Sequence, residues 1–398
     1  MKTVCNFAHN NAFPLIAWVV WIVLVSILSY AITSSDIPMR LGYRYTDIGV
    51  SFGLPEWLGV RANFDGVHYM TIAREGYSTL QRAFFPMYPL ILSLVSSVFL
   101  DNTLLSGIVL SGFLTGASLL IWYRVFQALL SPTQARRALV SLLTFPTAFF
   151  MLNVYTESLF LALFGVYVWG IIKRKWWLVV GAGIALGLTR LAGVFTIGIP
   201  LMIYAAHLWN TKQYRTPPAH LVSIFLAPLM GLCGYMAYLW AQTGDALAFF
   251  TVQEQFNNAR STSLVLLPQV IWRYLSIFIT AQVDVVYVVA VVEFVMFVLV
   301  ASLLVYAGYA WWRKAVEHKH LDERQQIYGG LILFSVINLL VPTLTGTLGS
   351  IPRYALVGMA LYPTIATLSP KLRYVILICF GVLQMVLMAL FAQGWFVS

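Results

Sequence analysis

The chain has 398 residues, of which 60% are hydrophobic, 15% aromatic and only 10% charged. Water-soluble domains run near a quarter charged, so this composition excludes one. The 24 Lys+Arg against 14 Asp+Glu give a net charge of +10, but the basic residues sit in short clusters between apolar segments, as at 173–175 and 311–320. That pattern suits anchoring against anionic membrane lipid and excludes a nucleic-acid interface.

In chain order, apolar segments fall near 12–32, 84–100, 104–130, 138–152, 156–172, 176–209 (a pair), 219–241, 269–281, 284–311, 327–347, 353–368 and 372–392. Runs of about 20 residues cross a bilayer as helices, so the expectation is an all-α, polytopic integral membrane protein with roughly ten to thirteen helices. The first run is long for a signal peptide and rich in Trp, which predicts an uncleaved span. No repeat period stands out, and one integral domain over 1–398 is expected. Cys5, Cys233 and Cys379 are too scattered for a disulfide framework or a metal site and read as small core hydrophobes.

Three polar intervals interrupt the apolar runs. Residues 33–83 hold Asp36, Asp47, Glu56, Asp65 and Glu75, five of the fourteen acids. Residues 242–268 form a second interval, and the basic 311–326 a third. Positive-inside reasoning places 173–175 and 311–324 in the cytoplasm and leaves 33–83 outside. Single crossings from 84 to 172 give no consistent parity, so one segment there is re-entrant or does not cross.

The densest polar chemistry is "NFDGVHYMTIAREGY" at 63–77. Asp65 and Gly76 bracket a run that predicts a short interfacial helix. Asp65 reads either as its N-cap or as a reactive carboxylate. His68 and Tyr69 read either as interfacial side chains or as site residues. Pro86 and Pro89 suit the first turns of the next helix. Glu157 then lies between apolar runs, where an acid is costly unless it pairs or serves a cavity. Arg190 in "GLTRLAGV" and Arg353 in "IPRYALVGMALYP" are lone guanidiniums that call for an anionic partner, carboxylate or phosphate. Asp284 and Glu293 stand in an apolar run with no motif around them and are left out of the site. No acid or histidine cluster has metal-ligand spacing, and no Gly-rich loop follows a strand, so no cofactor or metal is expected.

"NFDGVHYMTIAREGY", "AFFPMYPLI", "FPTAFFMLNVYTESLFLALF", "GLTRLAGV", "GDALAFF" and "RYALVGMALYP" occur in this order. Together they resemble the PIG-V-like family, the family of the second GPI mannosyltransferase, and in particular its bacterial members. The resemblance runs from about 60 to 365. It implies a GT-C type membrane glycosyltransferase, in the bacterial cell membrane or, in a eukaryote, the endoplasmic reticulum membrane, with an extracytoplasmic active site. Its donor would be a polyprenyl-phosphate-linked mannose, and its acceptor a glycolipid, glycan or protein. The acid that the resemblance makes the catalytic base is Asp65, with Asp47 and Glu157 as alternatives. His68, Tyr69, Tyr155, Glu157, Arg190 and Arg353 would line the site. The family commonly carries Arg-Trp before the acid. Here Asn63-Phe64 stands instead, with Arg61 two residues earlier.

The chemistry is coherent with that reading. Glycoside hydrolysis uses two carboxylates because an alcohol leaving group must be protonated. A phosphate leaves as an anion, so one base on the acceptor hydroxyl suffices, and direct displacement inverts the anomeric centre. A transporter, flippase or binding protein for lipid-linked sugars is the alternative. Transporters usually show internal repeats, which this chain lacks.

Overall fold

With no water in a bilayer core, every backbone N–H and C=O needs an internal partner, and apolar segments of this kind meet that demand as helices. The structure, a computed structural model, describes residues 2–35, 51–213, 216–256 and 263–397. Asp36, Asp47 and the Cys5 side chain lie outside the described residues. Helix α1 (Lys2–Thr33) is followed by α2 (Glu56–Gly59), α3 (Asp65–Glu75) and α4 (Met87–Ser96). Next come α5 (Thr103–Leu129), α6 (Pro132–Leu143), α7 (Glu157–Ile172), α8 (Trp176–Thr189), α9 (Gly198–Thr211) and α10 (Ala219–Thr243). The last part holds α11 (Ala248–Thr251), α12 (Leu267–Thr280), α13 (Val285–His318), α14 (Glu323–Thr343), α15 (Ile351–Leu356), α16 (Leu361–Thr367) and α17 (Pro370–Ala392). Seven helical stretches among the described residues are long and apolar enough to cross a membrane, and Met87–Phe99, α7 and α8 are shorter apolar ones. The chain is an all-α polytopic membrane protein.

Two apolar segments do not form the helices expected of them. The run 138–152 splits where Pro146 follows α6, and continues as a 3-10 turn over Ala148–Leu152. Residues 145–160 are buried without interruption. The run 353–368 likewise breaks into α15 and α16, both buried. Irregular backbone is tolerated at such depth only when it is wrapped in protein, and both stretches meet that condition. Between 84 and 172, α5 alone among the described helices has full spanning length. Cys233 and Cys379 are exposed on α10 and α17, not core residues. Lipid is as apolar as a core, so apolar neighbours in sequence do not place a side chain inside.

Helices α8 and α10 approach backbone to backbone. A Cβ on Gly187 would fall 2.1 Å from the Pro228 carbonyl oxygen, and one on Gly231 equally close, at 2.1 Å, to the Ile184 carbonyl oxygen. Such small-residue contacts are the usual means of close helix association in membranes.

The helices also sort the charges by end. Helix α7 begins at Glu157 and runs into Lys173, Arg174 and Lys175, after which α8 returns to Arg190. Helix α14 starts beside the basic 311–324 stretch and α17 starts at Lys371 and Arg373. Their far ends reach the same cavity as Arg190, through Asn338, Val341 and the segment after α17. Basic loops thus collect at one end and the cavity lies at the other.

Because no side chain fits at the α8–α10 crossing, Gly231→Val should not yield a folded protein. Size-exclusion chromatography in detergent is expected to show aggregate where the wild type is monodisperse.

Candidate active site

Four charged side chains from distant segments meet as an alternating chain. Arg353 Nη1 donates to Asp65 Oδ2 at 2.7 Å, while its Nε lies 3.4 Å from Glu157 Oε1. Arg190 Nη1 donates to that same Glu157 oxygen at 2.6 Å. The order is therefore Asp65, Arg353, Glu157, Arg190, with no net charge. The Glu157 side chain is 1% exposed and that of Asp65 20%. Glu157 is the buried anchor of both arginines, and Asp65 is the carboxylate that a ligand can reach.

Local structure fixes each member. Arg190 adopts an extended backbone that ends α8, and the chain doubles back so tightly that a Cβ on Gly193 would sit 2.1 Å from the Leu186 carbonyl oxygen. Arg353 sits on α15, which Thr147 holds through a 2.8 Å bond to the Pro352 carbonyl and Asn338 through a 2.7 Å bond to the Tyr354 carbonyl. Its guanidinium lies over the Tyr155, Phe150 and Tyr354 rings, at 5.4, 5.6 and 5.9 Å from their centroids. Such contacts stabilise a partly desolvated cation. Burial opposes the Arg353 charge, but Asp65 and Glu157 outweigh it and hold its pKa well above the ordinary guanidinium value.

Asp65 is the first residue of α3, and the helix ends before Gly76, whose φ is +84°. Its carboxylate turns to Arg353. The loop before it is tied by Tyr155, whose hydroxyl donates to the Asn63 carbonyl at 2.7 Å and accepts the Asp65 N–H at 3.2 Å. Burial pushes the Tyr155 pKa up, and the Asp65 charge adds to this, so the group stays a hydroxyl. Phe64, between the two tied residues, has φ +60° and ψ −114°. A non-glycine residue there costs on the order of 1–3 kcal/mol.

These residues border a cavity of about 450 Å³, within the range of small-molecule sites. Asp65, Tyr69, Arg190 and Arg353 line it, as do Phe84, Phe85, Phe249, Phe250 and Phe396. Three other residues named from the sequence lie beside it. Glu157 is behind the arginines, and Tyr155 ties the loop. His68 stacks on Phe84 with ring centroids 4.8 Å apart. Arg61 turns away to Ser26 on α1 at 2.8 Å, and desolvation lowers its pKa to about 10. In "GDALAFF", Asp245 accepts the Leu247 N–H at 2.8 Å and the Thr251 hydroxyl at 3.2 Å, while Phe249 and Phe250 face the cavity.

Sequence reasoning passed over three supports. Glu293 accepts a 2.6 Å bond from the Tyr274 hydroxyl, which in turn accepts the Leu348 N–H at 3.1 Å. This props the loop that supplies Gly349 and Ser350 to the cavity. An acid in an otherwise apolar helix was the available signal. Asp284 instead caps α13 by accepting the Tyr287 N–H at 2.8 Å. Phe396 carried no signal, since its partner Phe64 lies far away in sequence, and Asn338 holds the Tyr354 carbonyl across a break in an apolar run that sequence does not show.

Removing one member of a buried ion chain strands the others, so Glu157→Ala should destabilise the fold by about 3–5 kcal/mol, seen as a lowered Tm in detergent. Burial, opposed by Asp65, lowers the His68 pKa from 6.5. The unfolded chain therefore binds this proton more readily than the folded one. The stability is present above about pH 6.5 and is lost as pH falls below it. His68→Gln should shrink the drop in Tm between about pH 7.5 and 5.5.

No model of a known protein family matches the chain, and no curated protein matches it. Among solved structures it is similar to the oligosaccharyltransferase of Archaeoglobus fulgidus tethered with an acceptor peptide, at 10% identity over 95% of this chain and 55% of that one, with a TM-score of 0.45. The same protein in complex with zinc and sulfate gives 10% identity over 94% and 53% of the two chains and a TM-score of 0.42. The chain spans about half the length of these structures.

Proposed function

We propose that the chain is a GT-C type membrane glycosyltransferase of the PIG-V-like kind. It transfers a mannosyl group from polyprenyl-phosphate mannose to a glycolipid, glycan or protein, with Asp65 as general base. The observation that carries this reading is a reachable carboxylate ion-paired to a buried arginine in a cavity lined mostly by aromatic and aliphatic side chains. The ordered motifs of the sequence support the donor class.

In this reading the acceptor hydroxyl attacks the anomeric carbon as the bond to the phosphate oxygen breaks. Asp65 takes the hydroxyl proton, and the electron pair leaves with the phosphate, inverting the centre. Arg190 and Arg353 face the developing phosphate charge. Both are already neutralised by carboxylates, so the incoming phosphate competes with Asp65 for Arg353. Donor binding then loosens the Asp65–Arg353 pair and leaves the carboxylate to the acceptor. Glu157, behind the arginines, keeps both in place without touching substrate. Tyr69 and the phenylalanines contact sugar and prenyl chain. The basic loops at the opposite end of the helices support an extracytoplasmic site, because Lys and Arg concentrate on the cytoplasmic side.

The test supplies labelled polyprenyl-phosphate mannose and host-membrane acceptors to the protein in nanodiscs. Wild type should transfer label, and Asp65→Asn, folded and still binding donor, should lose about 100-fold or more of the rate. Equal transfer by both removes Asp65 as the base. Donor that binds and is never cleaved favours a carrier of lipid-linked sugars.

A further inference from the structure

The conformation of Phe64 is one that favours glycine, yet a phenylalanine occupies it immediately before Asp65. What meets this residue comes from the other end of the chain. The Phe64 ring lies 5.5 Å from that of Phe391 and, edge-on, 5.2 Å from that of Phe396. Its neighbour Asn63 donates from Nδ2 to the Phe391 carbonyl at 3.0 Å. After α17, Gly394 takes φ +82° and the Trp395 N–H returns to the Leu390 carbonyl at 2.9 Å. That turn carries Phe396 to the wall of the cavity that Asp65 also lines, and Val397 ends buried at 3% exposure.

We propose that Phe391–Val397 is a clamp that positions Asp65. It holds Asn63 by its carbonyl and Phe64 by two rings, keeps the strained backbone from relaxing, and so fixes the first turn of α3 with its carboxylate toward Arg353 and the cavity. Asn63-Phe64, the departure from the Arg-Trp of the resembling family, is the pair this clamp grips. Phe396 is therefore a positioning residue for Asp65 and a wall of the site. The catalytic consequence rests on the proposed transfer reaction. The clamp itself does not.

Two readouts on Phe396→Ala, Phe396→Leu and Phe396→Tyr separate these. Hydrogen–deuterium exchange of the amides at 64–67 should rise about tenfold or more in Phe396→Ala and less in Phe396→Leu. It should stay near wild type in Phe396→Tyr, with α5 and α14 unchanged throughout. In the transfer assay, kcat should fall about tenfold or more in Phe396→Ala, and Phe396→Tyr should restore it, because small misplacement of a reacting group costs rate. If Phe396→Ala does not fold, Phe396→Leu carries the same comparison. Unchanged exchange at 64–67, or raised exchange with kcat intact, overturns the proposal. If wild type transfers no sugar, the transfer reaction fails as a reading, and exchange alone still upholds or overturns the clamp.

Discussion

The guanidinium of Arg353, shared between Asp65 and Glu157, is the contact on which the rest of the architecture converges. An isolated charge at this depth is strongly unfavourable. Two carboxylates and two arginines survive together because they alternate in sign and interlock. That arrangement constrains the backbone that delivers them. Helix α8 must stop at Arg190, the chain must fold back at Gly193, and α15 must be short and held by Thr147 and Asn338. The buried irregular stretch before Glu157 belongs to the same constraint, since it brings Phe150 and Tyr155 under the Arg353 guanidinium.

Much of this was readable from the sequence for one physical reason. In a chain this apolar, a charged side chain inside a greasy segment needs a cause, so Glu157, Arg190 and Arg353 announce themselves, and Asp65 stands out in the densest polar stretch. Their pairing did not. Glu157 and Arg190 are 33 residues apart and Asp65 and Arg353 are 288 apart, and either arginine suits either acid on charge alone. Helix α3 was legible at both ends, through Asp65 and Gly76, because start and stop signals are local. The segments 138–152 and 353–368 were not, because apolarity marks a span and a buried loop alike. The backbone of Phe64 left no trace either, since its surroundings come from Phe391 and Phe396.

Burial also divides labour between the two carboxylates more cleanly than sequence could. Glu157 holds two arginines and is closed off from the cavity, whereas Asp65 pairs with Arg353 and remains reachable. The loop across the cavity follows the same logic at smaller scale. Glu293 and Tyr274 sit in or against the apolar α13, and their hydrogen bonds end on the Leu348 amide. A buried acid here holds backbone in shape, as Glu157 holds side chains.

The sequence separation between Asp65 and Arg353 has a consequence for how the molecule is made. Chains are synthesised from the N-terminus at roughly 5–20 residues per second. Asp65 therefore emerges on the order of tens of seconds before the arginine that pairs with it, 288 residues later. Glu157 has Arg190 close behind it, so half of the charge chain can assemble as soon as α7 and α8 are inserted. The other half waits for nearly the whole polypeptide.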